Sequence, residues 1–237
     1  MSLREENLFL AKIAEKAEQY DHMVEYMRRI AEMGTVLSAE ERNMLSAAFK
    51  SSVGTCRQAW RTLASSMIPQ EDPLVGRYIQ KIEGELKTRC RDCLDMLEKN
   101  GLTARGDEES QVFFLKMKGD YWRYLAEVSL GDEKSRYIEE AQETYQQGFV
   151  IAQHLASTNQ VRLGLALNFS VFYYEVLSRP DEAVAFGKVA LQAADEGLML
   201  LSDDEQREAG FILGLLRDNI AMWTDGEPAD GCEVQDL

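Results

Sequence analysis

Histidine, proline, cysteine and long apolar runs are all scarce in this chain of 237 residues, and each scarcity removes a class of function. The two histidines, His22 and His154, lie in no His-Asp pair and at no metal-ligand spacing, which leaves a catalytic base or a metal centre without ligands. No catalytic residues, metal or cofactor are therefore expected. No apolar stretch approaches the roughly 20 residues of a membrane span. The start, Met1-Ser-Leu-Arg-Glu-Glu6, lacks the basic end and apolar core of a signal peptide. The chain is expected in the cytosol, with the nucleus as a second compartment open to it. Basic residues are outnumbered 26 to 41, a net charge of −15, so a nucleic-acid backbone would be repelled. Four cysteines fit a reducing compartment. Cys90 and Cys93 form a C-x-x-C inside a helical run, with no strand before it and no second pair, and helix packing is the plainer reading.

Prolines stand only at 69, 73, 180 and 228, and the long interval without one between Pro73 and Pro180 favours helix almost throughout. Helices are expected over 3–17 and 20–33, the second ended by Gly34. Ser38-Ala-Glu-Glu41 is a capping box opening a third towards Ser66. Asp72-Pro73 supplies an N-cap and a first-turn proline for a fourth, closed by Asn100-Gly101. Further helices are expected over 107–130, 133–156 and 160–178, then one opened by Pro180-Asp-Glu182 and one by Ser202-Asp-Asp-Glu205. The fold class is all-α: a single domain, 1–223, of about nine antiparallel helices joined by short breaks. Residues 224–237 carry five acids and no base and are expected to form a flexible acidic tail.

The segment Val112 to Val128 organises the rest. Phe113, Met117, Tyr121 and Tyr124 recur at helical steps and give an apolar, aromatic face, with Arg123 at its edge. A guanidinium beside a phenol suits a phosphate or carboxylate; an ion pair with Asp120 at i−3 or Glu127 at i+4 is the plainer alternative. In the third helix Lys50, Arg57 and Arg61 are spaced seven and four, so they share a face. Cations on two helices make a compact site for a dianion. Several charge-assisted bonds at roughly 1.5–3 kcal/mol each would support micromolar binding. Gly164, Asn168, Val171 and Glu175 also share a helical face, and Ile212, Leu215, Asn219 and Trp223 repeat its mixed pattern. Asn168 reads either as a satisfied core amide or as a partner for an extended backbone.

Ser46-Ala-Ala-Phe-Lys50, Gly54 with Arg57, Trp60-Arg61, the run from Leu115 to Glu127, Arg162 to Glu175, and Leu215-Leu-Arg-Asp-Asn219 with Trp223-Thr224 together resemble the 14-3-3 phosphopeptide-binding proteins. The resemblance extends from about Glu5 to Trp223. It implies a cup-shaped protomer whose concave amphipathic groove holds a phosphoserine or phosphothreonine peptide in extended form. Lys50, Arg57, Arg123 and Tyr124 then take the phosphate-binding positions, supported by Arg61, Asp120 and Glu127. Asn168 and Asn219 match the groups that bind peptide main chain. Leu167, Val171, Ile212, Leu215 and Trp223 fall on apolar and lip positions, with Lys116 and Glu175 beside them.

The resemblance also implies a dimer, homotypic or mixed, with Ile13, Ala17, Ala59, Leu63, Tyr78, Lys81 and Glu85 at its seam. Departures fall at both sites. Cys56 stands where most members carry a second arginine. Gln19 and His22 replace two charges that pair across the seam with Glu85 and Lys81, and lost exposed pairs cost about 0–1 kcal/mol each, so a weakened dimer is expected. Ala59 occupies the seam position where many members have a phosphorylatable serine, so that switch is expected to be absent, and the linker at 67–72 is short. The expected partners are phosphorylated client proteins, with no membrane or nucleic acid. The function expected is a non-enzymatic adaptor; the rivals are a helical scaffold indifferent to phosphate and an all-α phosphohydrolase.

Overall fold

The computed structural model describes residues 1–65 and 72–225. Within them the chain folds into nine α-helices and no strand, as the scarcity of breakers predicts. The helices are α1 (Leu3–Lys16), α2 (Tyr20–Glu32), α3 (Ala39–Ala64), α4 (Pro73–Lys99), α5 (Glu108–Glu127), α6 (Gly131–Ala152), α7 (Gln160–Val171), α8 (Pro180–Leu198) and α9 (Asp203–Asp225). Most of the short linker and the acidic tail from residue 226 lie outside the described residues. The helices pack as two compact units, Met1–Gly106 with Tyr124–Lys134, and Asp107–Arg123 with the chain from Ser135 onward. The division falls inside α5, between Arg123 and Tyr124, where nothing in the composition marks it.

In the first unit α1 packs on α2, α2 on α3 and α3 on α4. Met23, Met27, Ile30, Leu45, Phe49, Leu86 and Leu97 are buried there, together with Cys90 and Cys93, whose side chains are packing elements of α4. Local chemistry sets the helix ends. Ser38 and Glu41 form the expected capping box, and Arg4 clasps Glu41 through Nε at 2.6 Å, tying the start of α1 to the start of α3. The Asp72 carboxylate accepts from the Leu74 amide at 2.8 Å. Gly34 and Gly101 stop α2 and α4 in the left-handed region, at φ 71° and 59°.

In the second unit α7, α8 and α9 pack mutually around Leu163, Leu167, Val171, Leu213 and Leu216. A second cluster joins Val112 of α5 to Tyr145, Phe169 and Phe172. Gly119 of α5 packs against the Tyr145 ring of α6, where a Cβ would lie 2.7 Å from it. Helix α7 does not run straight to Ser178 as its periodicity predicts. It passes into a wider π turn at Phe172–Val176, with the Leu177 amide donating to the Phe172 carbonyl five residues back at 3.1 Å. The chain then turns at Ser178 (φ 54°) into Pro180, which opens α8.

Helix α5 differs from its sequence reading too. Its apolar side chains do not form one stripe: Val112, Phe114, Leu115, Met117, Tyr121, Tyr124, Leu125 and Ala126 are all buried, so the helix is enclosed on every side. Asp120 and Arg123 are enclosed with them.

Candidate functional site

The first unit gathers Arg57, Arg61, Tyr124 and Glu127. Arg57 and Arg61 are one turn apart on α3 and converge on one carboxylate: Arg57 Nε donates to Glu127 Oε2 at 2.6 Å, and Arg61 Nε donates to Oε1 at 2.7 Å. Burial pushes the Glu127 carboxyl up, but the charges and hydrogen bonds of Arg57 and Arg61 outweigh it and hold the group below the usual carboxylate value. The Arg57 guanidinium lies over the Tyr124 ring, 4.3 Å from its centre, a cation–π contact that fixes its plane. Lys50 is exposed on the same helix, two turns earlier. Cys56, half-buried, is a free thiol.

The second unit gathers Lys116, Asp120, Arg123, Asn168 and Glu175, and adds Tyr145 of α6, which nothing in the sequence singles out. Asp120 is the hub. Its Oδ1 accepts from Tyr145 Oη at 2.5 Å and from Asn168 Nδ2 at 2.8 Å, and its Oδ2 accepts from Lys116 Nζ at 2.9 Å. Arg123 is 1% exposed, donates through Nε to Tyr145 Oη at 3.3 Å, and stands 3.7 Å from Glu175, which the π turn carries. Two cations and two carboxylates make the cluster formally neutral, with Asp120 and Arg123 buried and Glu175 at its exposed edge. The expected i−3 partner of Arg123 is present, at 3.5 Å, whereas Glu127 serves Arg57 and Arg61 instead. A helical side chain leans towards the N-terminus, which directs Arg123 back to Asp120 and away from Glu127.

The other residues expected at a peptide site sit on or near the core of the second unit. Leu167 and Val171 are fully buried, Ile212 and Trp223 nearly so, and Leu215 is packed at the margin. Tyr174 stacks on Trp223 with centroids 4.8 Å apart, a pair the sequence did not suggest. Phe211, one turn before Leu215 on α9, is 61% exposed. Asn219 Nδ2 and Trp223 Nε1, one turn apart, are buried with no hydrogen-bond partner among the described residues. An unmade bond of this kind costs about 1–3 kcal/mol, so donors left in this state suit a ligand that completes them.

The expected seam residues belong to the first unit. Ile13 and Tyr78 are about half exposed, Ala17 is exposed, and Ala59 and Leu63 are partly covered. Lys81 and Glu85 are exposed and 3.9 Å apart. Phe9, one turn before Ile13 on α1, is 54% exposed. Elsewhere, His154 meets Glu108 at 2.8 Å on the surface of the second unit. Among the described residues no helix is long and apolar enough to cross a membrane, and no group of three side chains could hold a metal ion.

These features define an all-α protein with guanidinium groups buried on carboxylates. The 14-3-3 protein family model matches residues 10–224, and the chain belongs to that family. It is 42% identical to 14-3-3-like protein 2 of Caenorhabditis elegans over 98% of this chain and 96% of the relative. It is 43% identical to 14-3-3 protein theta of Gallus gallus and of Mus musculus, over 94% of each chain. Membership supports an adaptor, phosphopeptide-binding role in general.

Proposed function

We propose that this protein binds phosphoserine- or phosphothreonine-containing segments of client proteins and regulates those clients by masking or presenting the segment. Lys50, Arg57, Arg123 and the Tyr124 hydroxyl take the phosphate. Asn168 and Asn219 take the peptide main chain, with Leu215, Ile212 and Trp223 beside its side chains. The observation that carries this reading is the anchoring of Arg57. A guanidinium clamped by Glu127 and laid over Tyr124 has lost its rotamer freedom before any ligand arrives, so less entropy is lost on binding. The orphaned donors of Asn219 and Trp223 support an extended backbone as the second part of the ligand. Cys56 lowers the local positive charge relative to an arginine there and leaves the anchored arginines in place.

The protein acts as a dimer, homotypic or mixed, through the exposed apolar residues of α1 and α4, which lets one assembly hold two phosphorylated segments. A fluorescence titration with an arginine-rich phosphoserine peptide and its unphosphorylated twin tests the reading. Micromolar binding confined to the phosphopeptide, and weakened by at least about tenfold in Arg57→Ala, is expected from the loss of a charge-assisted contact. Equal binding of the two peptides would refute phosphate dependence and favour a helical scaffold.

A further inference from the structure

We infer that Tyr145 is a positioning residue for anion recognition, its hydroxyl setting the orientation of the Arg123 guanidinium by joining it to the Asp120 carboxylate. The inference rests on the phosphopeptide reading above. Tyr145 is fully buried and held on several sides: Gly119 lies against its ring, Phe169 stacks on it at 5.2 Å, and Phe172 is tilted against it at 5.5 Å. A ring held this way delivers its hydroxyl to one place. There the hydroxyl accepts from Arg123 Nε at 3.3 Å and donates to Asp120 Oδ1 at 2.5 Å. The direct approach of Arg123 Nη2 to Asp120 is longer, 3.5 Å.

The inserted phenol has a chemical consequence. A direct bidentate arginine–aspartate pair would bind the guanidinium tightly and leave an incoming dianion a strong competitor. With the phenol as one arm of the link, the direction of the Arg123 guanidinium is set through Tyr145 as well as by Asp120 itself. Burial, followed by the charge of Asp120, pushes the Tyr145 hydroxyl well above the usual tyrosine value, so it stays a donor throughout the working pH range. Asn168 and Lys116 donate to the same carboxylate and hold it in place independently of the phenol, so the hydroxyl acts on Arg123 alone.

Tyr145→Phe removes one hydroxyl and keeps the ring. Phosphopeptide affinity is expected to fall roughly three- to tenfold, the effect of one hydrogen bond, with binding of the unphosphorylated twin unchanged. In an Arg123→Lys background, where there is no guanidinium to orient, the Tyr145→Phe effect should vanish, and in an Arg57→Lys background it should persist. A lowered Tm with an unchanged Kd, or an equal loss in the Arg123→Lys background, would overturn the inference while leaving the phosphopeptide reading intact. A wild type that does not discriminate between the two peptides would overturn both. Nitrogen-15 arginine spectra of the wild type give a readout that needs no variant to fold: the Arg123 Nε–H should exchange slowly with solvent, and fast exchange would overturn the inference.

Discussion

At the scale of single residues, the chemistry of this protein depends on how its arginines are neutralised. Glu127 holds two of them, and all three side chains are largely covered, at 14%, 30% and 19% exposure for Arg57, Arg61 and Glu127. Glu127→Gln keeps the shape and removes the charge, leaving two guanidiniums around a neutral amide. The expected cost is about 1–3 kcal/mol in urea unfolding at pH 7, less than for a fully buried pair because water reaches Arg61. The pH dependence has a definite sign. The carboxyl titrates below its ordinary 4.5 in the folded protein, so its contribution is complete above the unfolded value and lost as pH falls through the folded one. The stability gap between wild type and variant should therefore narrow on acidification below about 4.5; a gap that does not change with pH would refute the ion-pair account. Phosphopeptide affinity should fall as well, because Arg57 loses the clamp that aims it.

Among the elements, what was legible in the sequence was what neighbouring residues decide. Ser38, Asp72, Gly101, Pro180 and Ser202 mark helix ends through hydrogen bonds and dihedrals that span a few residues, and all five stand at or beside the ends they predict. The π turn at 172–176 and the left-handed Glu18 (φ 54°) carry no such mark, since neither glycine nor asparagine occupies them. The site divides in the same way. Asp120 was legible as a partner of Arg123 from its i−3 spacing. Tyr145 is 25 residues from Asp120 and Glu127 is 70 from Arg57, and packing alone brings each pair together. Glycine shows the same contrast between local and tertiary causes. Gly119→Ala would push a methyl into the buried Tyr145 ring and is expected to cost about 1–3 kcal/mol. Gly214→Ala in α9 meets open space and should stabilise by about 0.5–1 kcal/mol through helix propensity alone. Thermal melts separate the two; Tm shifts of the same sign would contradict this account.

For the molecule as a whole, the acidic balance and the exposed apolar surface pull in opposite directions. A net charge of −15 keeps copies apart, yet the first unit leaves Phe9, Ile13 and Tyr78 about half exposed. Exposed apolar side chains of this size on α1 and α4 suit cover by a partner, and a second copy fits the adaptor reading. The polar groups beside them add little. Lys81 and Glu85 already face each other within the chain at 3.9 Å and are largely solvated, and Gln19 and His22 stand where the family's paired seam charges would be, so apolar burial is expected to carry association. Ile13→Asp should therefore act more strongly than any change at Lys81 or Glu85. It puts a charge where a methyl-rich side chain would be covered, and in a dimer related by a two-fold axis it does so twice. Sedimentation velocity at micromolar concentration should show a dimer for the wild type and a monomer for Ile13→Asp, with Lys81→Ala still dimeric. Because apolar contacts are not screened, raising the salt should tighten the wild-type dimer by relieving repulsion between two acidic copies. A dimer that dissociates in salt would mean that ion pairs hold it and that the apolar surface serves another partner.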